Sequence, residues 1–215
     1  NTTGGNNTAL GDNSLYTNTT GQYNTGLGSQ ALFSNTTANN NTAVGYQAGY
    51  SNVTGAENTF IGRVAGYSTT NSYNVAVGDA ALYSNTSGGT NTAVGKSALL
   101  SNTTASNNAA LGYRALEDNT TGAGNTALGT IALPNNTTGA DNVSIGHLSM
   151  GDNSTGNYNV AVGKYALTGN TTASDNTAVG YRALEDNTTG NRKSAVGLES
   201  LLYNTTGSEN VAMGR

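Results

Sequence analysis

One motif, N-T-A-V-G with its variants, recurs along the whole chain at a nearly fixed interval. Its closing glycine stands at Gly11, Gly28, Gly45, Gly62, Gly78, Gly95, Gly112, Gly129, Gly146, Gly163, Gly180, Gly197 and Gly214. Eleven of the twelve spacings are 17 residues, and the step from Gly62 to Gly78 is 16. A fixed period of this length marks a repeat architecture, in which each unit buries its apolar face only against its neighbours. The consensus unit is N-T-A-V-G-x-x-A-L-x-x-N-T-T-G-x-x. It carries no 3.6-residue apolar period, and its β-branched and glycine content disfavours helix. We read residues 1–215 as a single repeat array of about 12 coils with no separate domain. The expected fold is all-β: a parallel β-solenoid or β-roll of 17-residue coils.

Composition without phase points elsewhere. Leu, Ile, Val and Phe number 34 of 215 residues, below the roughly 20% under which a chain is classed as unable to bury a core. Asn and Thr number 33 and 34, a balance that ordinarily reads as disorder. Parallel stacking resolves the conflict. Coils about 4.8 Å apart set Asn over Asn and Val over Val, so ladders replace a three-dimensional core. Twelve such coils would extend roughly 58 Å.

Composition also excludes function classes. With no cysteine there is no disulfide, thiolate metal site or cysteine nucleophile. A single histidine, His147, makes no histidine cluster and leaves little acid–base chemistry near neutral pH. Eight Lys plus Arg at a net charge of −4 do not form the basic footprint that nucleic acid requires. No apolar run has the length of a membrane span. We expect no enzyme, no catalytic residue, no metal and no cofactor. Since the chain opens without Met, we read it as an excerpt of a longer fibre.

Each unit reads as two short strands and two turns. The first strand is Asn-Thr-Ala-Val/Leu, closed by the anchor glycine, and the second is centred on the following Ala-Leu. Asn-Thr-Thr-Gly supplies turn chemistry, the Asn side chain bonding its own backbone and Gly accepting positive φ. Alanine at Ala38, Ala105 and Ala173 implies that positive φ is not compulsory there. Side chains two apart share a strand face. The large residue before each anchor (Leu10, Leu27, Val44, Ile61, Val77 and onward) is therefore expected inside, with the Thr or Val two positions earlier. The residue between them is Ala in ten of thirteen units and is expected to face outward. Small residues on an outward face suggest close approach of a second chain, so we expect a homo-oligomeric fibre, most simply a homotrimer.

The N-T-A-V-G row, from Thr8–Gly11 to Val211–Gly214, resembles the S-V-A-I-G row of trimeric autotransporter adhesin heads (YadA-like). The full unit, as in N-T-A-V-G-Y-Q-A-G-Y-S-N-V-T-G at 41–55, resembles the repeats of phage and bacterial tail-fibre proteins. These resemblances imply a trimer at a cell surface or on a virion, outside the cell.

Several residue sets are candidate sites. The sequons at Asn18, Asn35, Asn52, Asn85, Asn102, Asn119, Asn136, Asn153, Asn170, Asn187 and Asn204 read either as N-glycosylation acceptors or as an asparagine ladder. Close coil spacing favours the ladder. Tyr16, Phe33, Tyr50, Tyr67 and Tyr83 form a stripe five residues after the anchor. It is either a ligand-contact stripe for cell-surface glycans or an aromatic ladder stacking on itself. Thr pairs such as Thr19–Thr20 and Thr36–Thr37 invite an ice-binding reading, but neighbours on a strand point to opposite faces. Glu117–Asp118 and Glu185–Asp186 lie in two identical stretches, 112–122 and 180–190, which reads as duplication and not as an acid–base pair. Charges on consecutive coils, such as Asp79 and Lys96, can pair. The expected function is a stiff shaft or adhesin stalk, with a glycan-binding face as the alternative and an ice-binding solenoid as a third class.

Overall fold

A computed structural model describes residues 2–214. The described residues are all-β, with thirteen parallel three-residue strands and no helix among them, and they form a parallel β-solenoid of about twelve turns. Contacts divide it into two units, 1–107 and 108–215. The first holds β1 (Thr8–Leu10), β2 (Thr25–Leu27), β3 (Thr42–Val44), β4 (Thr59–Ile61), β5 (Val75–Val77) and β6 (Thr92–Val94). The second holds β7 (Ala109–Leu111), β8 (Thr126–Leu128), β9 (Val143–Ile145), β10 (Val160–Val162), β11 (Thr177–Val179), β12 (Ser194–Val196) and β13 (Val211–Met213).

Within each unit every strand pairs in parallel with the next, and identical motif positions face each other. Thr25 opposes Thr42 and Leu27 opposes Val44 in the first unit; Val160 opposes Thr177 and Val162 opposes Val179 in the second. The short coil keeps this register, with Thr59 against Val75 and Ile61 against Val77. Its missing residue falls in the Asn-Thr-Thr-Gly turn, where Asn71 takes the glycine position beside Gly55. Thr69 replaces the turn asparagine there, and its buried hydroxyl has no hydrogen-bond partner.

Two expectations are corrected. The Ala-Leu segment is not a second strand. It is a turn in which the second and fourth residues after the anchor take left-handed φ, as at Gln30 (58°) and Leu32 (51°), or Arg114 (55°) and Leu116 (52°). Left-handed backbone is costly for a side chain with a Cβ, yet this chain uses it in every turn. Hydrogen bonds to both neighbouring coils hold it: Gln30 N–H donates to Asp12 O at 2.8 Å, and Leu32 N–H to Ala48 O at 2.9 Å.

The strand faces are also the reverse of the expectation. The central alanines point inward; Ala43, Ala76, Ala93, Ala161, Ala178 and Ala195 are fully buried. The flanking Thr and Val/Leu point outward. The buried Leu four residues after the anchor and two asparagine rows already fill the narrow coil, so the strand centre has room for a methyl group and little more. Alanine rows are therefore core, and they carry no argument for a second chain.

Departures from alanine at the centre are compensated in place. Ser144 faces Ser149, and their hydroxyls are 2.5 Å apart, so neither buried hydroxyl is left unmatched. Phe60 is the largest fully buried side chain. It fits because the turn position that is Leu in most coils is Gly49 in one coil and Gly66 in the next. A Cβ on Gly49 would lie 2.6 Å from the Phe60 ring, and one on Gly66 would overlap the same ring.

Candidate functional site

Four linear arrays stand out on this scaffold: two asparagine ladders, one aromatic ladder and one outward apolar strip. The first ladder consists of the sequon asparagines. Asn136 Nδ2 donates to Asn119 Oδ1 and to Gly139 O, both at 2.8 Å. Asn153, Asn170 and Asn187 repeat the rung at 2.8–2.9 Å. In the first unit Asn35 joins Asn18 at 2.8 Å and Asn102 joins Asn85 at 2.9 Å. Asn18, Asn35, Asn52, Asn85, Asn102, Asn119, Asn136, Asn153, Asn170 and Asn187 are buried, and Asn204 is half-buried. Attaching a glycan would require pulling the amide out of the coil, so the folded structure offers ladder rungs where the sequence offers acceptors.

The second ladder is the Asn that opens each N-T-A-V-G motif, a row the sequon reading passed over although its periodicity is equally regular. Its Oδ1 receives the next coil's backbone N–H, as in Asn58 N–H to Asn41 Oδ1 at 2.9 Å or Asn159 N–H to Asn142 Oδ1 at 2.9 Å. Its Nδ2 reaches a turn carbonyl, Asn24 to Ala38 O and Asn125 to Gly139 O at 2.8 Å. Each amide thus carries the backbone ladder round a corner where no β pairing exists, using both its donor and its acceptor.

Lys193 interrupts this second row. It is fully buried, and its Nζ donates to Asn187 Oδ1 at 2.5 Å, Asn204 O at 2.8 Å and Asn204 Oδ1 at 3.0 Å. Burial pulls its ammonium group below the ordinary lysine range. Because the folded state holds the proton less tightly than the unfolded one, stability is lost as pH falls from the ordinary lysine range through the lowered folded value. Lys193→Asn restores the row and is expected to stabilise the second unit at neutral pH by about 1–2 kcal/mol. It should also flatten the rise in stability toward alkaline pH. Hydrogen exchange of amides 194–214, measured at two pH values, checks both effects.

The aromatic stripe is a stack. Tyr16, Phe33, Tyr50, Tyr67 and Tyr83 have successive ring centroids 5.1–5.3 Å apart and planes within 14° of parallel. Neighbouring rings cover each other's faces, so a sugar ring meets edges and hydroxyls along most of the stripe. Burial, then Tyr83, Tyr50 and Tyr46, raise the Tyr67 phenol above its ordinary value.

The remaining candidates are structural in placement. Glu117 pairs with Arg114 and Glu185 with Arg182, each Arg three residues upstream; Arg182 also reaches Glu199 at 3.4 Å. Asp79 pairs with Arg63 at 2.9 Å, on the coil before it and not with Lys96 on the coil after. His147 sits edge-on to Tyr165, with centroids 5.8 Å apart. Among the described residues no three His, Cys, Asp or Glu side chains are grouped to hold a metal, and no helix is long and apolar enough to cross a membrane.

The outward strip is formed by the first and third residue of every strand. In the first unit these are Thr or Val followed by Leu, Ile or Val; in the second they include Val143, Ile145, Val160, Val162 and Val179. None of these positions in either unit is charged. Leu128 is 41% exposed and Val196 40%, although each has a paired strand on either side within the second unit. No family model matches this chain, and no curated protein or solved structure is significantly similar to it.

Proposed function

We propose that the chain is a shaft segment of a homo-oligomeric filament, outside the cell or on a virion, in which copies pack strip against strip. The observation that carries this reading is the outward Thr/Val–Val/Leu/Ile strip: continuous within each unit, free of charge and exposed in mid-array. Contiguous apolar surface of that kind is uncommon on a monomer and marks an interaction site. A second copy is the partner whose side chains repeat with the same rise, so that each Val or Leu of one strip meets a gap between rungs of the other. Trimeric assembly suits the resemblance to adhesin heads and tail fibres. Its mechanism is mechanical: backbone ladders and two amide ladders stiffen every coil, and the shaft holds whatever it carries away from its base.

The test is the mass of the native particle by sedimentation, for the wild type and for Leu128→Lys with Val162→Lys. The wild type is expected to be oligomeric, and the variant monomeric with an unchanged circular dichroism spectrum. A wild type that stays monomeric at high concentration overturns the proposal. If such a monomer also showed thermal hysteresis, the bare strip would belong to an ice-binding face. A glycan-contacting function rests on the aromatic stripe instead, and glycan binding lost on replacing Tyr50 and Tyr67 would support it.

A further inference from the structure

We infer that Tyr50, Tyr67 and Tyr83 form an oxidative cross-linking site, where a one-electron oxidant joins neighbouring coils through a tyrosine–tyrosine bond. Three observations place it. The rings stack at 5.1 Å between Tyr50 and Tyr67, with planes 4° apart, and at 5.1 Å between Tyr67 and Tyr83, with planes 14° apart. They are half-buried, so an oxidant reaches their edges while the coil holds them in contact. The register is fixed by hydrogen bonds on either side: Ser51 N–H donates to Tyr67 O at 2.9 Å, and Ser68 N–H to Tyr83 O at 3.0 Å. Two phenols held this close react with each other in preference to a partner arriving from solution.

The chemistry balances without further reactants. Each phenol gives one electron to the oxidant and one proton to water. The two phenoxyl radicals combine through ring carbons ortho to oxygen, forming one carbon–carbon bond. The hydrogen on each joined carbon then moves to its oxygen through solvent, restoring both phenols. The net loss is two hydrogen atoms, taken up as two electrons and two protons. The product ties residues one coil apart, a covalent staple in a chain that has no cysteine.

The ladder supplies its own controls. Phe33 separates Tyr16 from Tyr50 and cannot couple, so Tyr67 is common to both reactive pairs of the stack. The 215-residue chain is oxidised with light-driven ruthenium(III) tris-bipyridyl and persulfate, and read by intact mass, dityrosine fluorescence and tryptic mapping. Trypsin leaves Tyr50 on 1–63 and Tyr67 and Tyr83 on 64–96. The expected result is a single-chain species lighter by two hydrogens, with 1–63 joined to 64–96 or a link within 64–96. Tyr67→Phe should abolish both links, and adding Phe33→Tyr to that variant should restore a link, now within 1–63. Links that persist in Tyr67→Phe, form only between chains, or fail to return with Phe33→Tyr overturn the proposal. Urea-unfolded protein should lose the intrachain product, which ties it to the stack.

Discussion

Phe60→Ala is expected to destabilise the first unit by about 3–5 kcal/mol, although alanine is what ten of the thirteen motifs carry at that place. The reason is that Phe60 does not sit in a consensus environment. Its ring occupies the space left by Gly49 and Gly66, which take φ of 62° and 60° in the turn where most coils place leucine. Removing the ring leaves a cavity that the stiff neighbouring coils cannot close. Gly49→Leu and Gly66→Leu are each expected to destabilise the wild type, because their Cβ atoms meet the ring. Leu32 and Leu82 adopt the same turn with φ of 51° and 53°, so the backbone itself accepts leucine. The triple variant Phe60→Ala, Gly49→Leu, Gly66→Leu should therefore recover most of the loss. Urea denaturation of the wild type and the four variants measures this as strong non-additivity. A triple variant no more stable than Phe60→Ala would refute the volume exchange.

That exchange illustrates what could be read from the chain in advance. Period, parallel stacking and the sequon ladder follow from phase alone, since a 17-residue repeat in register must superpose like on like. The direction of the strand faces does not. The alternation of Val, Ala and Thr is equally regular with either face inside, and the usual preference for large residues inside decided wrongly. What settles it is the width of the coil, already filled by Leu32 or Leu116 and by Asn41 or Asn125, a quantity no single repeat reveals. The turn is hidden for a related reason: Ala-Leu has strand-like residues, while left-handed backbone at Leu32, Leu82 and Leu167 is imposed by bonds to neighbouring coils. Propensity was overruled by stacking. For the site, the aromatic ladder was visible in the sequence, but the outward strip came to light only once the faces were known.

The two recurrent glycines of each unit should respond differently to the same substitution, and the difference probes the stacking directly. Gly146 takes φ of 131°, which L-residues rarely adopt, and a Cβ there would lie 2.7 Å from both the carbonyl carbon and the oxygen of Gly163. Those are backbone atoms of the next coil, held by the strand pairing between Val143–Ile145 and Val160–Val162, so no side chain can swing aside. Gly146→Ala must strain its own dihedrals and pry the coils apart, and we expect a loss of at least about 3 kcal/mol. Gly139 ends an Asn-Thr-Thr-Gly turn outside the left-handed region. Alanine stands in that row at Ala38, Ala105 and Ala173, each nearly fully buried. A Cβ on Gly139 would also be crowded, 2.3 Å from Asn136 Oδ1 and 2.4 Å from the Gly156 carbonyl oxygen of the next coil. With no left-handed φ to strain, however, the turn can relax as it does at those alanines, at an expected cost of about 1 kcal/mol. Thermal unfolding of the two variants separates the cases. Equal losses would mean that the anchor's backbone conformation is not what fixes the coil spacing, and the explanation of its invariance along the array would fall with it.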